Sequence, residues 1–423
     1  MPSALLLRAC RSPGPIVLAS VVRPPHGLQY QEMRVLLYTR AFWPNVGGIE
    51  SFLELLAGHV HGRGGDVTVV AENEFTGDSP FPFPVYWRPD QSALHNMVAM
   101  ADVLHLNVMK PALRFRALVH GTKVVTTYHD VTPICPKGVK IRWNGPCNGA
   151  GPAICLECMK RSGTPQRFKF LVRPVVKSVL SLFGHANVVS TPWADARFPL
   201  FHRSCIPNFI DADRFAPPVH RSHLEECPRA IFVGRFVEEK GIHVLLEALR
   251  ICRDRGSPFE LILCGGGGYE DEIRRQIDAA ELTGWIEMRG LLAPDAVAAA
   301  LREADFAVVP SVCYETFGIV AGEAMATGLP VIVTDAGGLE DVAGEVGIVV
   351  ERGSAEQLAT AIETLLSDAA GRKEMGSAGR ARVLEEFNEQ RTLGRYVKLY
   401  TELTGLSIHR EARSPEKSGK NAR

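Results

Sequence analysis

The stretch YETFGIVAGEAMATGLPVIVTDAGG, Tyr314 to Gly338, sets two glutamates, Glu315 and Glu323, on either side of a glycine at the mouth of a helix. Negative charge is favoured near a helix start. Glu315, however, precedes the helix and Glu323 lies more than a turn inside it, so they cannot work as an adjacent acid pair. They read instead as two clamps for hydroxyl groups, because one carboxylate accepts several hydroxyl hydrogen bonds. Thr316 is placed to cap the helix, which leaves the amides of Phe317, Gly318 and Ile319 as anion donors. A diphosphate seated on them would carry a sugar on one side and a ribose on the other.

Outward from this stretch, short apolar runs alternate with amphipathic segments from Met33 onward. MRVLLYT, DVTVVAE, DVLHLN, KVVTTYHD and NVVST make one series of strands; AIFVGRF, FELILCGGGG, WIEMRG and DFAVVPS make a second. The pattern predicts an α/β chain with two doubly wound parallel sheets, buried on both faces. A first helix beginning near Gly48 carries Ile49, Phe52, Leu53, Leu56 and Val60 on one face. Proline and asparagine in PNFID and APPV interrupt both periodicities and place the boundary near Pro207. The expected domains are 33–206 and 207–390, with a closing helix over 391–407 crossing back to the first. Residues 1–32 hold five prolines, Arg8, Arg11 and Arg23 and no acid before Glu32. They read as a leader or flexible arm, or as an upstream extension if translation starts at Met33. The basic tail 408–423 reads as disordered.

With 47 basic against 47 acidic side chains in 423 residues, nothing global attracts nucleic acid. The apolar runs fall short of the roughly 20 residues a membrane-crossing helix needs. Cys252, Cys264 and Cys313 sit in apolar segments, as reduced thiols do in the cytoplasm. No G-x-x-x-x-G-K-[ST] string is present, so nucleotide hydrolysis through that device is excluded. The cleft between two such sheets is the place for a ligand. Gly47 and Gly48 turn the first strand into the first helix, where their amides can approach an anion. Arg235 and Lys240, in GRFVEEKG, put two cations at the carboxyl edge of the second sheet.

These motifs resemble the family 4 retaining glycosyltransferases of the GT-B fold, whose signature of a glutamate, seven residues and a second glutamate is met by ETFGIVAGE. PNVGGIESF, YHD, IPNFIDADRF, VGRFVEEKGIHVLLEAL and DFAVVPSVCYETFG follow the family's order between about Met33 and Gly405. The resemblance implies that Arg235 and Lys240 hold a donor diphosphate with the Phe317 to Ile319 amides. It implies Glu323 for the ribose hydroxyls, Glu315 for the transferred sugar, Gly47 and Gly48 as the opposite wall, and His129 beside the reacting centre. The activity implied is retaining transfer of a hexosyl group from a nucleotide-diphosphate sugar to a saccharide or lipid-linked acceptor, with no cofactor required for catalysis. Asp211 to Asp213 (DAD) reads as interdomain linker. A sugar phosphorylase on the same scaffold and a non-catalytic nucleotide-sugar-binding subunit are the rival readings.

Two features lie outside this core. Cys135, Cys147, Cys155 and Cys158, in an insertion over 131–165, suit a tetrahedral structural zinc, with buried or redox-paired thiols as the other reading. Residues 160–177 carry six basic and no acidic side chains among Phe168, Phe170, Leu171, Val175 and Val176. That composition fits an anionic membrane surface or a solvated helix face interrupted by Pro174. The expected location is cytoplasmic, peripheral on the inner face of a membrane.

Overall fold

Strands rich in valine, leucine and isoleucine on both faces form two parallel sheets here, each covered by helices. The computed structural model describes residues 33–45, 48–138, 141–142, 145–147, 152–161, 172–218 and 227–408. The expectations for residues 1–32, for Gly47, for 409–423 and for much of 160–177 lie outside the described residues.

The first sheet holds β1 (Arg34–Thr39), β2 (Asp66–Ala71), β3 (Val85–Trp87), β4 (Val103–Leu106) and β5 (Lys123–Thr127). After a small hairpin of β6 (Ile141–Arg142) and β7 (Gly145–Pro146), β8 (Ala186–Val189) and β9 (Arg203–Cys205) complete it. Its order is β3-β2-β1-β4-β5-β8-β9, with every ladder parallel. The second sheet is built from β10 (Arg229–Val233), β11 (Glu260–Cys264), β12 (Ile286–Gly290), β13 (Phe306–Val309), β14 (Val331–Thr334) and β15 (Ile348–Val350). Its order is β12-β11-β10-β13-β14-β15, again parallel throughout. Each chain path runs outward and then doubles back, reversing between β1 and β4 and again between β10 and β13. Such reversals part the loops at the carboxyl ends of the strands and open a crevice there.

The chain passes between the domains twice. Ile206 belongs to the first core and Ile210 to the second; Phe387 belongs to the second and Leu393 to the first. The crossings lie side by side, with the Ile210 amide donating to the Phe387 carbonyl at 2.9 Å and Ile210 bridging Asn388. Helix Glu389–Thr404 then packs Leu393, Tyr396, Val397 and Tyr400 against Met33, Leu53 and Leu56. Burying an apolar side chain of this size stabilises by about 1.5–3 kcal/mol. Under this helix the buried His105 of β4 is held by Tyr400 Oη at 2.6 Å and Thr127 Oγ1 at 2.7 Å. Burial pushes its imidazole down to about 3, so it is a neutral pin between helix and sheet.

Candidate active site

The residues of interest follow the strands that flank the two reversals. Asn107 comes after β4, His129 two residues after β5, Gly234 and Arg235 after β10, and Ser311 two residues after β13. His129, Gly234, Arg235 and Ser311 line a cavity of about 350 Å³ together with Gly48, Ile49, Phe52, Lys240, Glu315 and the backbone from Thr316 to Val320; Asn107 stands behind His129, bonded to it. The structure therefore brings His129, Arg235, Lys240, Glu315, Phe317, Gly318, Ile319 and Gly48 around one space.

The helix after Glu315 runs from Ile319 to Ala326 and its N-cap is Gly318, with φ 99° and no side-chain cap. Thr316 does not cap it, contrary to the sequence expectation. Its hydroxyl donates across the cleft to the His129 carbonyl at 3.1 Å, while its own carbonyl accepts from Ser190 Oγ at 2.8 Å and Thr191 Oγ1 at 3.1 Å. Glycine is required at the cap, because a Cβ on Gly318 would lie 2.1 Å from Leu339 Cδ2 in addition to the left-handed φ. The amides of Phe317, Gly318, Ile319 and Val320 have no acceptor among the described residues. Four backbone donors at a helix start make an anion site when a cation stands opposite. The Phe317 ring points away, buried edge-on against Phe387 at 5.2 Å, so only its backbone serves the cavity. Gly48 faces this helix from the other domain, where a Cβ would come within 3.0 Å of Ile319 Cδ1.

Opposite stand the cations. Arg235 is exposed and forms no side-chain hydrogen bond or ion pair among the described residues. Lys240 Nζ donates to Glu315 Oε1 at 2.7 Å, and Ser311 Oγ donates to the same oxygen. Burial pushes the Glu315 carboxyl up, but Lys240, Ser311 and Arg235 more than reverse it, so it stays below its ordinary range. Burial pushes Lys240 down and Glu315 more than restores it, so the ammonium lies above its ordinary value. Both are charged, and an ammonium with three N–H donors keeps two for another ligand.

His129 donates from Nε2 to Asn107 Oδ1 at 2.9 Å and meets the Phe52 ring edge-on at 5.6 Å. Burial lowers it to about 4 against the upward pull of Asp130, so the imidazole is neutral at physiological pH. Glu323 lies deeper in its helix, outside the cavity wall, and its carboxylate has no hydrogen-bond partner among the described residues. Burial raises it to about 7, with Arg214 pulling it down and Asp211 pushing it up. Asp211 caps its own turn through the Arg214 amide at 2.9 Å.

The cysteines gather without converging. Cys155 and Cys158 share helix Pro152–Arg161, and Cys135, Cys147 and Cys155 all push the Cys158 thiol upward, after burial. A structural zinc needs its ligands within about 2.3 Å of one point. No group of three or more His, Cys, Asp or Glu is so disposed among the described residues.

Sequence reasoning missed Asn107, Ser311 and the Ser190–Thr191 pair. Each is a small polar residue ending a buried strand, a position at which a side chain reaches a sheet's functional edge. No helix among the described residues is long and apolar enough to cross a membrane.

Residues 220–382 match the family model described as glycosyl transferases group 1. Over 386 residues the chain is 27% identical to a GDP-mannose-dependent alpha-(1-6)-phosphatidylinositol monomannoside mannosyltransferase of Mycobacterium tuberculosis, covering 84% of this chain and 94% of that one. Sucrose-phosphate synthase from Thermosynechococcus elongatus shares the fold with a TM-score of 0.67 at 21% identity, over 89% of this chain and 100% of that one. Anabaena HepE in complex with UDP and glucose does so with a TM-score of 0.67 at 18% identity, over 88% and 100%.

Proposed function

From the family match over residues 220–382 and the GT-B fold, we propose that the chain is a group 1 glycosyl transferase that moves a hexosyl group from a nucleotide-diphosphate sugar to a saccharide or lipid-linked acceptor, with retention at the anomeric carbon. The observation that carries this reading is the socket itself. Four amides from Phe317 to Val320, without acceptors among the described residues, and the cations Arg235 and Lys240 surround one cavity, with the Glu315 carboxylate at its edge. That is a receptor for a diphosphate ester bearing hydroxyls.

In this scheme the diphosphate sits between the amides, Arg235 and the two free N–H bonds of Lys240. The C1–O bond to the diphosphate lengthens and breaks, and negative charge grows on the leaving oxygen where these donors already point. The acceptor oxygen forms its bond to C1 on the same face, and its proton passes to the departing diphosphate. Glu315 accepts hydroxyls of the sugar through lone pairs not used by Lys240 and Ser311. Glu323, raised and unpartnered, accepts ribose hydroxyls one turn further on. Neutral His129 orients the sugar and adds no repelling charge near a developing cationic carbon. Positive charge for the leaving group comes from the protein, so the scheme requires no metal.

A thermal-shift panel of nucleotide sugars tests the reading, since a ligand held only by the folded state raises stability by RT ln(1 + [L]/Kd). At least one should stabilise the protein, and the anomeric proton coupling of the product should match the donor's configuration. Stabilisation by inorganic phosphate and glucose 1-phosphate alone, with no nucleotide effect, would favour a phosphorylase.

Peripheral attachment to an anionic membrane accompanies this proposal. Val175 and Val179 on helix Arg173–Ser181, with Leu182 and Phe183 after it, are exposed, and the preceding stretch 160–172 carries four basic and no acidic side chains. Such a combination partitions into headgroup regions. Absence of binding to phosphatidylglycerol vesicles at low salt would end this part of the reading.

A further inference from the structure

The Glu315 side chain is held by Lys240 and Ser311 of its own domain, but its backbone is bracketed from the other one. Ser190 Oγ and Thr191 Oγ1 donate to the carbonyl of Thr316, the residue after it, at 2.8 and 3.1 Å. The Trp193 ring stacks on Tyr314, the residue before it, with centroids 4.9 Å apart and planes 28° from parallel. The same ring lies against Gly337, the bridge partner of Glu315, where an added Cβ would come within 2.9 Å of Trp193 Cε2. We propose that Trp193 is a positioning residue for Glu315, acting from the opposite domain and setting the sugar clamp without lining the donor cavity itself. This role rests on the glycosyltransferase reading and deepens it, because sugar recognition would then depend on a first-domain side chain on which diphosphate binding does not.

Trp193 is itself held on both sides of the domain boundary. It lies in the first turn of helix Pro192–Arg197, whose N-cap Thr191 accepts from the Ala194 amide at 3.3 Å through the same hydroxyl that donates to Thr316. The Trp193 amide has no acceptor within so early a turn of its helix, and it donates to Asp341 Oδ2 of the second domain at 2.6 Å. A carboxylate at a helix start is favoured by the macrodipole as well. The indole is 7% exposed, in a first-domain cluster with Tyr128, Val189 and Phe198 against which Tyr314 packs. Tyr128 precedes His129 as Tyr314 precedes Glu315. The neighbours of both site residues therefore meet in one apolar cluster that contains Trp193.

Charge reinforces the stack. The Arg197 guanidinium lies 5.5 Å from the Trp193 ring centre and the Arg352 guanidinium 4.1 Å from that of Tyr314, with Arg352 fixed by Asp335 at 2.9 Å. Each domain thus supplies one ring and one cation, and both stacked rings and cations near ring faces attract beyond the area they bury. The diphosphate donors have a different support. Helix Ile319–Ala326 is seated on the second-domain core through Ala321, Ala324 and Met325, together with Val309 and Val331. Loss of the indole therefore falls first on Tyr314 to Thr316, and so on the Glu315 carboxylate. Its hydrogen bonds to sugar hydroxyls are charge-assisted and sensitive to such a displacement.

The test uses the full-length protein. Trp193→Leu keeps an apolar filling and removes the stack, and Trp193→Phe keeps a ring. Phe198→Leu, at a ring edge-on to Trp193 at 6.0 Å in the same domain, controls for weakening the cluster as such. Calorimetric titration compares UDP-glucose with UDP and GDP-mannose with GDP. In Trp193→Leu the sugar-bearing ligand should bind about tenfold or more weakly, the scale of one charge-assisted contact, while the nucleoside diphosphate binds as before. Trp193→Phe should restore most of that loss, and Phe198→Leu should show none of it. A second arm needs no donor: Lys240→Ala is combined with each variant in denaturant unfolding. A displaced Glu315 has less of its partner to lose, so in Trp193→Leu the midpoint shift caused by Lys240→Ala should fall to about half or less, and in Phe198→Leu it should stay whole. Additive shifts in Trp193→Leu, sugar and diphosphate affinities that fall together, or equal effects of Trp193→Leu and Phe198→Leu overturn the positioning role. If neither UDP nor GDP binds the wild type, the glycosyltransferase reading fails, and the unfolding arm still decides whether Trp193 holds Glu315.

Discussion

Replacing Lys240 by alanine should damage stability and turnover through different atoms, and a second substitution should separate the two. In the folded protein Lys240 Nζ lies 2.7 Å from Glu315 Oε1, with side-chain exposures of 25% and 16%. Removing one member of a fully buried pair costs about 3–5 kcal/mol because the other charge is left uncompensated. The residual exposure here brings the expectation for Lys240→Ala to about 2–3 kcal/mol. Most of that cost belongs to the orphaned carboxylate, so adding Glu315→Gln should recover at least about half of it. Turnover should behave otherwise: the ammonium's contact with the leaving group is lost in both variants, at about 100-fold or more. The pH dependence follows with its sign. In the wild type Glu315 titrates below its ordinary range, so its stabilisation is present above the unfolded carboxyl pKa and lost as pH falls through the folded one. Without Lys240, burial is opposed only by Ser311 and Arg235, and the deficit should be largest near neutrality and shrink toward about pH 4. Denaturant unfolding of the single and double variants across pH, with steady-state rates, provides the assay. A double variant no more stable than Lys240→Ala, or near-normal turnover in Lys240→Ala, would refute the reasoning.

Three other outcomes are expected. Glu323→Gln should raise stability at about pH 8 by about 1–3 kcal/mol and change nothing below about pH 4. The native carboxyl, raised to about 7, loses its contribution as pH rises through that value; thermal unfolding against pH reads this directly. The same variant should weaken nucleotide-sugar binding. His129, held down to about 4, should show no imidazole titration midpoint between about pH 5.5 and 8 by proton–nitrogen NMR; a midpoint near the ordinary histidine value would contradict the neutral role assigned to it. Gly318→Ala should cost at least about 2 kcal/mol in denaturant unfolding and most of the diphosphate affinity, from its φ of 99° and the approach to Leu339.

Much of the fold was legible because both sheets are doubly covered. Strands such as Phe306–Val309 and Val331–Thr334 are buried at every position, and such runs of branched residues are unmistakable. Helix Ile242–Asp254 falls within the amphipathic run from Gly241 to Arg255. Strand order was not legible, since nothing local in DVLHLN tells that β4 lies against β1 rather than β3. The site was half legible. Glu315, Arg235, Lys240 and Gly318 belong to motifs with fixed spacing, whereas the link from Asn107 to His129 joins residues 22 apart in sequence through a geometry that only the sheet creates. Thr316 misled for a similar reason: a threonine before a helix ordinarily caps it, but here a tertiary acceptor, the His129 carbonyl, outcompetes the local amides. His105 was read only as part of an apolar strand, and its partner Tyr400 lies 295 residues away.

The paired crossings at Ile210 and Asn388 give the molecule a particular mechanical character. A lone tether would let one half swivel freely about the other, whereas two tethers laced together by a backbone hydrogen bond act like the pin of a door, permitting a swing and resisting a twist. His129 and the Thr316 loop would then part and meet again along one arc, in the same register on every cycle. A chain truncated before Glu389 would lose the pin together with a wall of the first half, so the first half would unfold before the second did.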